Sequence, residues 1–454
     1  MNKIKSACYK YYDYIIIMLV YGLLHFFMHT DYWDDLAQQS ILKDWNYNLF
    51  GFLYSFYLTW GSTIILNGLE AIMGALPNFI WKILDVIMIE FIYHFFTRIV
   101  CLLSGVTSLQ RLVRIWFVLF FLNFPFSIFA TAGWLTTTIA YVWTFAMFFY
   151  SLYILLSSTQ KSDMKFITYI LYFLAVFFAS NANVHSIVLF IVYIYIYITC
   201  KNKNRCFHIL IIEGMVGTIS NILLFVLSPG NRVRIREDAR YHDTYELLNL
   251  SIGGHLRMGI NTAFYHFISV PNIILFTFCL LLVICIFRKS KNLTIRFLSC
   301  IPLLIDIFWT GYVFLKYTVS SRTLTYIYPD ASFQTCPKTE QYCALISALI
   351  LVAIMCYLLA FLTDFTYMSW TLVGVLLVVG LLPEVILGFT TTVSASIMRV
   401  AAYFYFASMF CTCILVIDHS IMKNQILRKI FYALAGLGTL LNILQIVRHI
   451  IVYG

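Results

Sequence analysis

Two short stretches carry most of the chain's chemistry. The first, "HTDYWDDLAQQ" at 29–39, sets Asp31, Asp34 and Asp35 beside Trp33. Adjacent carboxylates repel one another, so one of Asp34 and Asp35 is expected to hold its proton more tightly than usual and to suit removal of a proton from a hydroxyl. The same pair suits a divalent cation, and the plainest alternative is that one aspartate caps a helix. The second stretch, "SPGNRVRIREDAR" at 228–240, brings Arg232, Arg234, Arg236 and Arg240 together. Pro229 and Gly230 fit a helix exit, and Asn231 fits the N-cap of a new short helix. On that helix Arg232, Arg236 and Arg240 fall at i, i+4 and i+8 and share a face. Guanidinium groups offer a planar fork of donors that stays charged, which suits a phosphate or diphosphate. The alternative is pairing with Glu237, Asp238 and Asp243, or contact with lipid headgroups. A base and an anion clamp together are what glycosyl transfer from a lipid-phosphate sugar requires.

The elements that must position these residues are membrane helices. Of 454 residues, 62% are hydrophobic and only 11% charged, against roughly 45–50% apolar residues in soluble domains. Apolar runs of spanning length recur from end to end, and no long polar segment interrupts them. The expected fold is therefore all-α, a single polytopic transmembrane domain over 1–454 with about 11–13 spans. These are placed near 12–30, 78–102, 115–130, 138–156, 166–181, 184–200, 209–227, 269–287, 297–315, 343–362, 371–389, 400–417 and 430–447. The first run is too long for a secretory leader and no small-residue cleavage site follows it, so it reads as a retained span.

The surplus of Lys and Arg, +10 formally, is a topology signal here and not a sign of nucleic acid. Short basic connectors such as "SLQRLVR", "QKSDMK", "KNKNR", "RKSKNLTIR" and "KNQILRK" belong in the cytoplasm by the positive-inside rule. The long connectors, about 31–77, 228–268 and 316–342, then face outside. Both chemical stretches fall in these external connectors. The remainder of the first, "FGFLYSFYLTWGSTIILNGLEAIMGALPNF", is apolar but broken by Gly, Ser and Asn, and reads as interfacial or re-entrant helix. Most of the twelve cysteines sit in apolar runs; Cys336 and Cys343, close together in a polar loop, form the one candidate bridge.

Asp85, Glu90, Asp306 and Glu384 lie inside apolar runs, where an ionisable group costs about 2.5–3.5 kcal/mol and usually serves a pathway or site. Glu384, after Pro383 near the outer end of its span, is the one placed to join an external cavity. Asp85 with Glu90 suits a proton relay. His185, beside Asn181 and Asn183, reads as a hydrogen-bonded helix break that borders the cavity more than as a metal ligand. Nucleotide-binding and zinc-hydrolase signatures are absent.

Five motifs follow in order: "TDYWDDL", "WLTTTIAYVW" at 134–143, "SNANVH" at 180–185, "SPGNRVR" and "GFTTTVSASIMR" at 388–399. This order resembles a bacterial family of multi-spanning GT-C-type glycosyltransferases related to the O-antigen glucosyltransferases. The resemblance implies a GT-C-like fold in the bacterial cytoplasmic membrane and a site on the outer side. It implies a polyprenyl-phosphate-linked sugar as donor and a cell-surface glycan as acceptor. Asp34 and Asp35 would match the acidic pair, Asn231 and Arg234 the "PGN" with its arginine, and Arg399 a basic residue before a late span. The expected activity is inverting transfer by direct displacement, with Asp34 or Asp35 as base and Arg232, Arg234, Arg236 and Arg399 on the donor phosphate. The alternatives are a polysaccharide polymerase and, from another class, a lipid-linked oligosaccharide flippase.

Overall fold

The computed structural model describes residues 2–160, 163–200, 203–241, 245–268, 273–319, 338–391 and 397–453, and these are helical with no strand among them. The chain divides into two compact units, Met1–Arg234 with Thr439–Gly454, and Ile235–Gly438. Cys336 and Asp243 lie outside the described residues, as do most of the connector 316–342 and positions 392–396 of the last motif.

The first unit contains α1 (Asn2–Phe27), α2 (Trp33–Asp44), α3 (Leu49–Thr59), α4 (Ile64–Ala75), α5 (Asn78–Leu103), α6 (Arg111–Phe121), α7 (Trp134–Thr138), α8 (Thr144–Ser158), α9 (Phe166–Ala179), α10 (Asn183–Cys200) and α11 (Arg205–Leu227). A π-helical turn, Ile139–Trp143, joins α7 to α8 without a break. The helix α12 (Pro229–Tyr241) begins in this unit. The second unit holds α13 (Ile252–Ile268), α14 (Ile273–Lys289), α15 (Leu293–Val319), α16 (Lys338–Leu362), α17 (Tyr367–Gly374), α18 (Leu382–Leu387), α19 (Ile397–Val400) and α20 (Ala402–Asp418). The last helix, α21 (Gln425–Tyr453), returns to the first unit, where Thr439 Oγ1 donates to the Leu119 carbonyl and Asn442 Nδ2 to that of Leu122.

Among the described residues nine helices are long and apolar enough to cross a membrane, which makes this a multi-pass helical protein. The number falls below the expected 11–13. Of the four remaining expected spans, those at 166–181 and 400–417 form the shorter helices α9 and α20, that at 12–30 lies in α1, and the described part of 269–287 is α14. At about 1.5 Å per residue the 14-residue α9 reaches only about 21 Å, short of a hydrocarbon core of about 30 Å. Every residue of α20 from Ala402 to Val416 is buried within protein. An apolar run reads the same in sequence whether lipid or protein surrounds it.

The long first connector folds into three short helices, α2, α3 and α4. Packing of α2 on α4 is close because Gly74 has no side chain: a Cβ there would come within 2.6 Å of the Gln38 carbonyl oxygen. Below it the buried Gln38 donates to the buried Glu70 at 3.2 Å.

Candidate functional site

The acidic pair is divided by the fold. Its helix α2 starts from a left-handed Trp33, φ +50°, a conformation that costs a bulky residue about 1–3 kcal/mol. The turn is held by the Asp34 N–H donating to the Ala132 carbonyl at 3.1 Å. Asp34 then stands exposed while Asp35 is fully buried. The Asp35 carboxylate accepts from the Leu135 N–H at 3.0 Å, and from the Thr136 N–H and hydroxyl, both at 2.8 Å. It thus satisfies two of the N–H groups that the first turn of α7 leaves without helical partners. Gly133 permits the approach: its φ is +116°, and any Cβ there would overlap the Asp35 carboxylate. Burial pushes the Asp35 carboxyl up to about 6; the three hydrogen bonds pull it back, and the neighbouring Asp34 charge adds to the rise. Neither aspartate caps its own helix, whose N-cap is Tyr32. The cap acts on α7, about a hundred positions away.

Two other motifs meet the stretch "TWGST" at 59–63 in a second cluster, built around the start of α4. Asn181, in the break between α9 and α10, accepts from the Ile65 and Leu66 N–H groups at 3.1 and 3.2 Å. Its amide nitrogen donates to Asn221 Oδ1 at 2.8 Å. Asn183 accepts from the Ser62 hydroxyl at 3.1 Å, and Asn231 donates to that same hydroxyl at 3.3 Å. "TWGST", "SNANVH" and "SPGN" therefore form one hydrogen-bonded hub. Gly230 lies against the backbone of this hub: a Cβ would overlap Trp60 N and reach Gly61 N at 2.7 Å and Tyr57 O at 2.8 Å.

The arginine helix forms, but it starts earlier than expected. Ser228 is extended and its hydroxyl donates to the Tyr57 carbonyl at 2.9 Å. Pro229, which has no N–H to lose, opens the helix. Asn231 therefore lies inside the first turn and is not the N-cap; its amide also donates to the Phe225 carbonyl at 2.7 Å. Arg232, Arg236 and Arg240 are exposed on the shared face, and Arg240 pairs with Glu237 at 2.5 Å. Arg234 turns to another side, its guanidinium 5.7 Å above the Trp60 ring. The arginines expected to act as one clamp thus point in at least two directions. Arg232 and Arg234 belong to the first unit with Asp34 and Asp35, whereas Arg236, Glu384 and Arg399 belong to the second.

In the second unit Glu384 is fully buried and faces His266, with Nδ1 at 3.3 and 3.4 Å from its two oxygens. Buried Gly388 makes this approach of α18 to α13 feasible, since a Cβ would overlap Gly259 N and the His255 carbonyl. Arg399, on the four-residue α19, is half-buried. In the first unit His185 is buried, its ring tilted against Phe145 at 4.8 Å and Phe148 at 6.0 Å between centroids. Asp85 spends both oxygens, one on His25 Nε2 at 2.7 Å and one on the Trp143 indole N–H at 2.8 Å. The other nitrogen of His25 faces the Tyr21 carbonyl at 2.7 Å. This buried network ties α1, α5 and the π turn together. His25 and His266 escaped the sequence reading; the available signal was a histidine in an apolar run, a placement that calls for a polar partner.

Among the described residues no three His, Cys, Asp or Glu side chains converge to hold a metal ion. No protein-family model, curated protein or solved structure matches the chain, so the case for a function rests on the residues described above.

Proposed function

We propose that the protein is a membrane glycosyltransferase that moves a sugar from a polyprenyl-phosphate carrier to a glycan on the outer side of a bacterial cytoplasmic membrane. The observation that carries this reading is the division of the acidic pair: Asp35 is locked into the N-terminus of α7 and holds the turn, which leaves Asp34 exposed at a fixed position. In the proposed step the acceptor hydroxyl oxygen attacks the anomeric carbon and its proton passes to the Asp34 carboxylate. The bond from that carbon to the phosphate oxygen breaks, and the electron pair leaves with the phosphate. Arg234 balances the charge that develops there. Under this reading Asp35 and Asn231 are positioning residues. Arg399 carries a donor role only through the family resemblance, and Arg232 and Arg236 only through their spacing in the sequence. A divalent cation at Asp34 is compatible with the same scheme.

The test is transfer of labelled sugar from a panel of polyprenyl-phosphate sugars to membrane glycan by purified protein, with and without Asp34→Asn. A general base contributes about 10²–10⁴-fold, so the variant should lose at least about 100-fold of the rate with its unfolding unchanged. Transfer indifferent to Asp34 would sink the mechanism. Lengthening of the glycan backbone would identify a polymerase instead.

A further inference from the structure

The middle of α5 carries a carboxyl that none of the chemistry above uses. Glu90 stands in the spanning helix Asn78–Leu103, about 18–20 Å from either end at about 1.5 Å per residue. Both of its oxygens are sealed from solvent without a hydrogen-bond partner. The Met18 N–H of α1 lies near them, but in the middle of a helix it is already spent within α1. Glu90 points about 140° round α5 from Asp85 and shares a face with His94 and Arg98, at i+4 and i+8. Opposite it on α1, Tyr14 and Met18 are likewise four residues apart and share a face. The Tyr14 phenol lies 2.7 Å from His94 Nδ1 and feels the Glu90 charge. His94 is half-buried and Arg98 exposed, so the face runs from a sealed carboxyl to an exposed guanidinium near the helix end. The neighbouring Asp13 is already engaged, because Arg114 and Tyr93 both donate to its carboxylate.

We propose that Glu90 is an intramembrane proton-binding site, loaded and unloaded through Tyr14 and His94. A carboxylate without a partner is far costlier to bury than the neutral acid, so the ligand this site suits is the proton itself. A metal cation would need several oxygens at once, and Asp13 spends its own on Arg114 and Tyr93. Chains of Asp, Glu and His within spans mark proton relays. On release, the Glu90 proton passes to the Tyr14 oxygen as the phenol proton passes to His94 Nδ1. The imidazole then gives the proton on its other nitrogen to water at the helix end. Tyr14 and His94 are neutral before and after, one proton has left Glu90, and uptake is the reverse. This activity goes beyond the transferase reading and does not rest on it.

The experiment follows the proton and not turnover. The full-length protein in phosphatidylcholine nanodiscs is treated with dicyclohexylcarbodiimide, an apolar reagent that adds to protonated carboxyls, and the label is located by peptide mass spectrometry. Glu90 should be labelled, less so as the pH rises, and sodium ions should give no protection. Infrared spectroscopy after an upward pH jump then times the loss of the protonated-carboxyl band, which is assigned by its absence in Glu90→Gln. Positioned groups speed proton transfer by about 10²–10⁴-fold, so Tyr14→Phe and His94→Leu should each slow that loss at least about tenfold. Unfolding midpoints close to the parent's confirm the fold of each variant. Three results would each overturn the proposal. The first is neither label nor any infrared band that Glu90→Gln removes, which leaves no protonated carboxyl at this position. The second is protection by sodium, which makes the carboxyl a cation ligand. The third is a band that decays at the parent's rate in both relay variants, which removes the path.

Discussion

The Asp35 carboxyl should leave a readable mark on stability against pH. Burial moves it from an ordinary 3.8 to about 6, a difference of about two pH units at about 1.36 kcal/mol each, or about 3 kcal/mol. The folded protein holds this proton more tightly than the unfolded chain, so stability falls as pH rises across the interval. The contribution is complete below about pH 4 and gone once the pH has passed through about 6. Asp35→Asn keeps the size and one acceptor for α7 but does not titrate. Denaturant unfolding in micelles, measured from pH 4 to 8 at fixed ionic strength, should show the parent losing about 3 kcal/mol relative to the variant between pH 4 and 6, with parallel curves above. Other carboxyls in that window titrate in both proteins and cancel in the difference. Curves that run parallel from pH 4 to 7 would refute the reasoning, since a carboxyl buried at the α7 terminus cannot ionise there without that cost.

Three further perturbations follow from the two hydrogen-bonded clusters. Asn181→Ala leaves the Ile65 and Leu66 N–H groups without their acceptor and should cost about 1–3 kcal/mol per orphaned group at most, read as a lowered unfolding midpoint. Asp85→Leu strands His25 and the Trp143 N–H in a buried site and should destabilise by about 3–5 kcal/mol; adding His25→Phe should restore part of that loss, and strict additivity of the two changes would argue against a coupled pair. Gly230→Ala drives a methyl group into the backbone at Trp60 and Gly61. It should cost about 1–3 kcal/mol and, by displacing α12, weaken any phosphate binding at Arg234; an unchanged midpoint would show that the hub yields easily.

The membrane class was legible because spanning length is a property of the sequence itself. Nine of the thirteen expected spans correspond to helices of that length. Two of the others depart for physical reasons: α20 is enclosed by protein, and α9 stops at Ser180 and Asn181, whose polar side chains turn inward to bonds that hydropathy does not register. The arginine helix was legible from its fourfold spacing, yet its start was misplaced because Pro229 suits a helix's first turn as well as a connection. The role of Asp35 was not legible. Its partners are chiefly backbone N–H groups, which leave no residue signature, and only Gly133 just before "WLTTT" hinted at a close approach. The histidine–carboxylate contacts were half visible: Asp85 and Glu384 stood out as costly in apolar runs, but through-space partners 60 and 118 positions away carry no local pattern.

The π turn at Ile139–Trp143 has a consequence for which lengths of chain this unit tolerates. An α-helix advances about 100° per residue, and a π turn accommodates one residue more than an α turn does, so the helix changes phase by about that angle within a single turn. Upstream of the shift, Leu135, Thr136 and Thr138 meet Asp35 and Trp81; downstream, Trp143 meets Asp85 and Phe145 meets His185. Removal of one residue between 139 and 143 would restore a continuous α-helix and cancel the phase change. Either set of contacts would then survive, but not both, so this stretch of the chain is a reading frame that a single-residue deletion breaks even where every remaining side chain is conserved.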